Sequence, residues 1–591
     1  MAEKVKTAES VVSESAKEQY RDAKDIDSSW RERAIKGFRF GLGIQQWDSH
    51  DLAVLEAEGR PALTINLILP LINLLSGYQR RNRSDIVLYP RRGGTAPIAA
   101  VGTELIKHTL DTSDGLYDLS DAFYDGLCCG KGWLSVDKVF DNDPLNGDLS
   151  VEKESPFDLL ADQYNKKYSV QKCQYVFKTY WWSKKKIELQ YPRKAKDIGE
   201  AMESPDWEFD KLYSPGGDDY PEVEMDMPGK EESRHKTQYL IKERYYKKAE
   251  MVTFLVHKPT LSLRRLGNKK LIEQSKRLLT MGNGEYDIVE RLTNVLYYSV
   301  HAGDMVLKHV KDPFDGICMF PYFRFCPYWV DGYVMGVVDN LIEPQMEVNK
   351  RRSQTLHHLN CSANSGWEIE KAKNKEAKKN LQKFGSKPGT ILERHDFGGI
   401  LKRIEPAKLD TGHLTLAALS SSDLQNISGI NPSLLEQSPE GKESGKAKML
   451  RQEAGLTVSE VIFDNLNRTQ KELGEFLWEY IRRSDIYSEE EITAIVQEHN
   501  IKHFVDQSGE VDLSPLRNWQ MGRYGVKVSR GSNLPTIRLA NYEQLLAAMQ
   551  SGLAIPPEYL IELSDLPNKD EILNYLKQAA SALPAGQGAI A

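Results

Sequence analysis

The sequence predicts an α+β chain of several compact units, on three observations. Apolar or small residues recur at helical spacing for about forty residues, from 444 to 483. Residues 133–140, 173–177, 239–246, 251–256 and 524–528 alternate as strands do. The length, 591 residues, leaves room for about three to six units of ordinary domain size.

Taken in order, residues 1–26 are expected to be a flexible N-terminal tail, since the first nineteen alternate charge with small side chains and contain no secretory h-region. From about 18 to 55 the pattern turns helical, with Trp30, Ile35, Phe38 and Phe40 as apolar anchors. Residues 61–82 read as a buried helix or helix pair around Pro70, ending in Arg80, Arg81 and Arg83. Another helix is expected over 101–127. Between 200 and 232 stand twelve acids, two lysines and four prolines. Such a stretch buries too little apolar area to offset its chain entropy, so it reads as an exposed insertion, with an acidic docking site as the alternative. A short helix over 271–279 and strand-like pieces over 297–309 and 317–328 follow.

Pro344 is expected to open a helix running to 359, because proline is tolerated in the first turn and no breaker follows. That helix carries Lys350, Arg351 and Arg352, then His357 and His358. Seven lysines face one glutamate over 371–387, either a solvated helix and turn or a phosphate-facing surface. The helix over 444–483 would be roughly 55 to 60 Å long at 1.5 Å per residue. Short helices are expected over 541–550, 557–562 and 569–579, then a small-residue tail.

Composition narrows the function. The chain holds 78 Lys+Arg and 85 Asp+Glu, a formal charge of −7, so it does not grip nucleic acid over its whole surface. The most apolar run, 63–75, is too short to span a bilayer and is interrupted by Asn66, Pro70 and Asn73. Six cysteines without a CxxC pair suit a reducing cytosol, and Cys128 and Cys129 read as buried thiols. The Gly-rich stretch 438–446 is one residue short of a phosphate loop, and Ala447 stands where Ser or Thr would hold magnesium. Adjacent His357 and His358 diverge by about 100° on a helix and do not chelate one metal. No catalytic residue, metal site or cofactor is singled out.

Ordered motifs nevertheless run from 60 to 570. They are 60–66 (RPALTIN), 77–82 (GYQRRN), 125–133 (DGLCCGKGW), 156–158 (PFD) with Asp162, and 336–345 (GVVDNLIEPQ) with Asn349. Further on come 428–430 (SGI), 444–447 (SGKA), 463–466 (FDNL), 524–528 (YGVKV) with Arg538, and 564–569 (SDLPNK). Their order resembles the portal protein family of tailed phages, in the podovirus branch of short-tailed phages. The resemblance implies a phage portal fold of wing, stem, clip and crown: wing over 27–269, stem helices and clip over 270–362, wing again over 363–540 and crown over 541–591. A tunnel loop would fall at 431–443, with Gln437, Glu440, Lys442 and Glu443 as its candidate residues. It further implies a non-enzymatic homo-oligomeric ring of about twelve subunits at one capsid vertex of the virion, assembled in the host cytoplasm. Double-stranded DNA would pass through it unread, and terminase large subunit, head-completion or tail adaptor proteins, and capsid and scaffolding proteins would be partners. Lys350, Arg351 and Arg352 become DNA-channel candidates, on a helix of roughly 28 Å that passes about seventeen phosphates. Pairing with acids of neighbouring subunits is the other reading of these cations. A head or tail component without a channel, and a nucleic-acid-processing enzyme, are the competing classes.

Overall fold

The N-terminal segment folds as one 35-residue helix, α1 (Ala8–Leu42), followed by α2 (Ser49–Ala57). A computed structural model describes, with brief interruptions, residues 8–194, 238–266, 284–363, 367–369, 401–403, 412–428, 459–496, 501–504, 512–518 and 522–530, with a few isolated positions. The flexible tail expected over 1–26 is therefore corrected from residue 8 onward. Ala16, Tyr20 and Ala23 lie at helical spacing and are buried against Leu160, Tyr175 and Phe177. Buried Arg244 fixes the same stretch by donating to Val12 O, Ser15 Oγ and Gln19 Oε1. The charges around these three small or aromatic residues mask a narrow apolar stripe in the sequence.

Residues 61–67, in neither helix nor strand, lead into α3 (Ile68–Arg81), one helix with Pro70 in its first turn, where the missing N–H has no intrahelical partner to lose. The side-chain oxygen of Asn66 accepts from the amides of Ile68 and Leu69 and closes the free end. After β1 (Ser84–Arg91), the helix expected over 101–127 is two: α4 (Ala96–Thr112) and α5 (Gly115–Cys129). Asp114, at φ 54°, makes the break.

Strands β2 (Gly132–Val139) and β3 (Asp148–Glu154) form an antiparallel pair. Gly132 is required there, since a Cβ would stand 1.8 Å from the Ala122 carbonyl oxygen of α5. Next come β4 (Leu159–Ala161), β5 (Tyr175–Ser183), β6 (Gln238–His257), β7 (Ser262–Arg265), β8 (Tyr286–Ala302) and β9 (Met305–Lys311). They make one six-stranded antiparallel sheet in the order β4-β5-β6-β8-β9, with β7 on β6. The two strands expected over 239–246 and 251–256 are one, β6, paired with β8 from Ile241↔Ala302 to His257↔Tyr286. This ladder joins residues on both sides of the division expected at 269/270, so that division does not separate two sheets.

β10 (Tyr322–Phe325) flanks β2, and β11 (Tyr328–Val330) and β12 (Tyr333–Met335) form a hairpin. The main helices that follow are α7 (Ile342–Ala363), α8 (Gly412–Ser428) and α9 (Glu460–Arg483), α6 being the short Lys184–Gln190. α9 crosses the largest core, burying Ile462, Leu466, Leu473, Phe476, Leu477, Trp478 and Ile481. At 24 residues its described length is about 36 Å. Residues 444–458, expected to extend it, lie outside the described residues. So do most of the stretches 200–232, 271–279, 371–387 and 541–591, and all of 431–443. The last described strand, Arg523–Arg530, returns to pair antiparallel with β1.

Candidate nucleic-acid interface

α7 carries the three cations that the sequence singles out, and a buried polar ladder positions it. Gln345, Asn349 and Ser353 follow at i, i+4 and i+8, so they share one face. That face meets the irregular segment 61–67, whose backbone polar groups have no strand neighbour to satisfy them. Ser353 Oγ accepts from Leu63 N at 2.9 Å, Asn349 Oδ1 from Ile65 N at 3.0 Å, and Gln345 Oε1 from Leu67 N at 3.0 Å. Gln345 Nε2 donates in turn to Ile65 O at 2.6 Å and to Asn349 Oδ1 at 3.1 Å. Asn349 Nδ2 reaches Gln46 Oε1 at 2.7 Å, and Gln46 donates to Phe40 O. A helix face thus stands in for a partner strand, and the network is closed on itself, the condition under which buried polar groups specify geometry. Two of the sequence motifs, 60–66 and Gln345 with Asn349, are the two halves of this contact.

The consecutive cations on α7 splay by about 100° each and do not form one patch. Lys350 pairs with Asp51 of α2 at 3.0 Å. Arg351 pairs with Glu347 at 2.6 Å and donates to Gln354. Both pairs are within the chain. Arg352 is exposed and makes no ion pair among the described residues. It lies on the opposite flank, beside Leu67, Val348 and Leu424. Between α2 and α7 runs a groove of about 610 Å³ lined by Trp47, His50, Asp51, Lys350, His357 and His358. The two histidine rings stand 6.2 Å apart at 51° and share no common axis for a metal. Among the described residues no group of three or more His, Cys, Asp or Glu is placed to hold a metal ion. Nor is any described helix long and apolar enough to cross a membrane. Gln437, Glu440, Lys442 and Glu443 lie outside the described residues.

A second buried cluster gathers motifs that the sequence reading quoted without assigning a role. Asp27 of α1 accepts from Lys131 Nζ at 2.5 Å, from Arg31 Nε at 3.1 Å and from Gln163 Nε2 at 3.2 Å. Arg31 also donates to Phe157 O, and Trp30 Nε1 to Cys129 O. The Lys131 ammonium lies 3.7 Å from the centre of the Trp30 ring. Burial pulls that ammonium below its ordinary range, and Asp27 opposes the shift. Cys128 and Cys129 are buried thiols; burial, with the nearby Asp125 adding to it, pushes Cys128 up to about 12. The motifs 125–133 and 156–158 therefore serve to clamp α1 onto α5 and the strands. The signal was a lysine between two glycines next to apolar residues, whose partner lies 104 positions away.

A family model described as phage P22-like portal protein matches residues 17–589 of the chain. No curated protein matches.

Proposed function

The chain belongs to the phage P22-like portal protein family, and from that premise we propose that it closes into a ring of about twelve copies around a channel for double-stranded DNA. The single observation that carries this is the extent of the match, residues 17–589 of a 591-residue chain. The ring sits at one vertex of the phage head and serves packaging and ejection. It hydrolyses nothing itself: its work is to bind, orient and let pass. In this reading the wing comprises residues 27–269 and 363–540, with β8 and β9 from the 270–362 segment completing its sheet, the stem helices and clip fall in the rest of 270–362, and the crown is 541–591. The tunnel loop is 431–443. Terminase large subunit docks at the clip, head-completion or tail adaptor proteins take its place after packaging, and capsid and scaffolding proteins surround the wing.

The geometry of α7 supports a wall element. Its ladder to 61–67 holds it rigid. Lys350 and Arg351 are already neutralised within the chain, which leaves weak, replaceable contacts with phosphate rather than tight capture. Bases need not be read. Electron microscopy of the purified full-length protein tests the proposal: face-on rings with an open bore are expected, and solid or open assemblies would overturn it in favour of a head or tail component without a channel. A nucleotide-hydrolysis assay on the same sample should show no turnover above buffer, and turnover would support the enzyme class.

A further inference from the structure

The ribbon formed by β1 and the strand Arg523–Arg530 (hereafter β13, the labelled strands β1–β12 preceding it) has one buried face and one outward face. Ile86 and Leu88 point into the core with Val526. The outward face then reads, in register pairs, Asp85↔Ser529, Val87↔Lys527, Tyr89↔Gly525 and Arg91↔Arg523. Arg91 and Arg523 are directly opposed, an arrangement that costs the ribbon stability, since like charges facing each other across a pair repel. Arg92 follows at the same end, where its carbonyl accepts from Arg523 N at 3.3 Å. Arg91, Arg92, Arg523 and Lys527 are all exposed, and none has a carboxylate within ion-pair distance among the described residues. Glu475 of α9 feels the Arg91 charge without forming an ion pair with it. Asp85 is the sole acid in those four outward pairs.

The face is also flat. Gly525 has no side chain, and a Cβ there would stand 2.6 Å from Tyr89 Cζ and 2.8 Å from Arg91 Cδ, so both side chains lie across the glycine. Lys527 is four residues from Arg523, about 14 Å along the strand. That is close to the roughly 12 Å width of a DNA major groove, so the two ends of the row can rest on the two phosphate rims. A protein partner would want buried aromatic or aliphatic anchors at the centre of the patch. Of the eight residues in these pairs only Tyr89 and Val87 are apolar: Tyr89 is already occupied with Gly525 and Arg91, and Val87 is half-buried between the flanking pairs.

We infer that this outward face of the β1–β13 ribbon is a contact surface for the phosphate backbone of double-stranded DNA, additional to the α7 cations. The inference rests on the portal reading for its ligand. The unfavourable Arg91–Arg523 opposition is what DNA binding would relieve. Each phosphate neutralised releases counterions, so the surface leaves a measurable salt slope.

The test uses full-length protein and a mixed-sequence duplex of 30 base pairs, followed by fluorescence anisotropy between 50 and 200 mM salt. The triple variant Arg91→Ala, Arg92→Ala, Arg523→Ala should lower the slope of log K against log salt by about 2.7, three contacts at about 0.9 each. Over that salt range the wild type should then lose about 40-fold more affinity than the variant. The triple Arg→Lys variant should keep the wild-type slope. Arg523→Ala alone should unfold at the same or a higher urea concentration than the wild type, because a like-charge pair is removed, which separates loss of binding from loss of fold. An unchanged slope in the alanine triple, or no DNA binding by the wild type at 50 mM salt, overturns the inference. So does loss of ring assembly in that variant, which would make the face a junction between copies. Rings with a bore and an unchanged slope would sink this inference and leave the portal reading standing; absence of rings would sink the portal reading instead.

Discussion

Asp27 is held by Lys131, Arg31 and Gln163 with almost no access to water, so removing it leaves two cations facing each other in the interior. Breaking a buried pair from one side costs about 3–5 kcal/mol, far more than the pair contributes net. Asp27→Ala should lower unfolding stability by that amount in urea titrations. Adding Lys131→Met should recover part of it, because the stranded ammonium goes too. His301 supplies a pH signature. It is buried beside Ser299, and burial first, then the charges of Arg244, Lys242 and His309, lower its pKa to about 3. The folded state therefore keeps His301 neutral while the unfolded state takes up a proton below about 6.5. Stability from this residue is intact above pH 6.5 and falls as pH drops toward 3, by about 1.4 kcal/mol per unit once the unfolded histidine is charged. Between pH 7.5 and 5 the loss should be about 2 kcal/mol, and His301→Gln should remove that part of the pH dependence. A wild-type curve that matches the variant's across this range would show that the imidazole is not buried as described.

The helix α7 draws its position from the segment 61–67, and the contact is polar rather than apolar. Asn349→Leu should strand the amide of Ile65 and the side chain of Gln46 together, at about 1–3 kcal/mol for each group left unpaired. Hydrogen exchange should quicken at the amides of Ile65 and Leu67, while Arg352→Ala on the exposed flank should change stability by less than about 0.5 kcal/mol. Equal effects from the two substitutions would mean that the ladder does not hold the helix. This contact also marks the limit of what the sequence discloses. Pro344 and the breaker-free run after it were enough to place α7, and alternation was enough for β2 and for the strand at Tyr524. Periodicity, however, reports only which residues share a face. It carries no sign that Gln345 and Asn349 meet residues some 280 positions earlier, or that Arg523 would oppose Arg91. The same blindness explains the N-terminal tail: Ala16, Tyr20 and Ala23 make a stripe too thin to stand out from the surrounding charge, and only Tyr175, Phe177 and Arg244 reveal its use. The two strands expected at 239–246 and 251–256 leave out Lys247 to Glu250, which stays paired to β8.

For the whole molecule, charge decides what kind of DNA contact is possible. The chain carries −7, yet residues 200–232 alone hold twelve acids and two lysines, a local balance of −10. The remainder of the chain is therefore +3, and a ring of about twelve copies would change from about −84 to about +36 without that stretch. Self-repulsion between copies and repulsion of DNA thus have the same source in the sequence. Both should be screened by salt over a Debye length of about 10 Å at 0.1 M. Assembly of the wild type, followed by sedimentation, should accordingly strengthen as salt rises, while phosphate contacts weaken through counterion release. The two responses have opposite signs, which is what a conduit requires: subunits that stay together under conditions where DNA is not held. Deleting 200–232 should raise affinity for a mixed-sequence duplex at low salt and make assembly nearly indifferent to salt. If the deletion leaves both responses as they were, the acidic stretch is too remote from the ring's working surfaces to set their potential. The local cations of the ribbon and of α7 would then have to account for DNA contact by themselves.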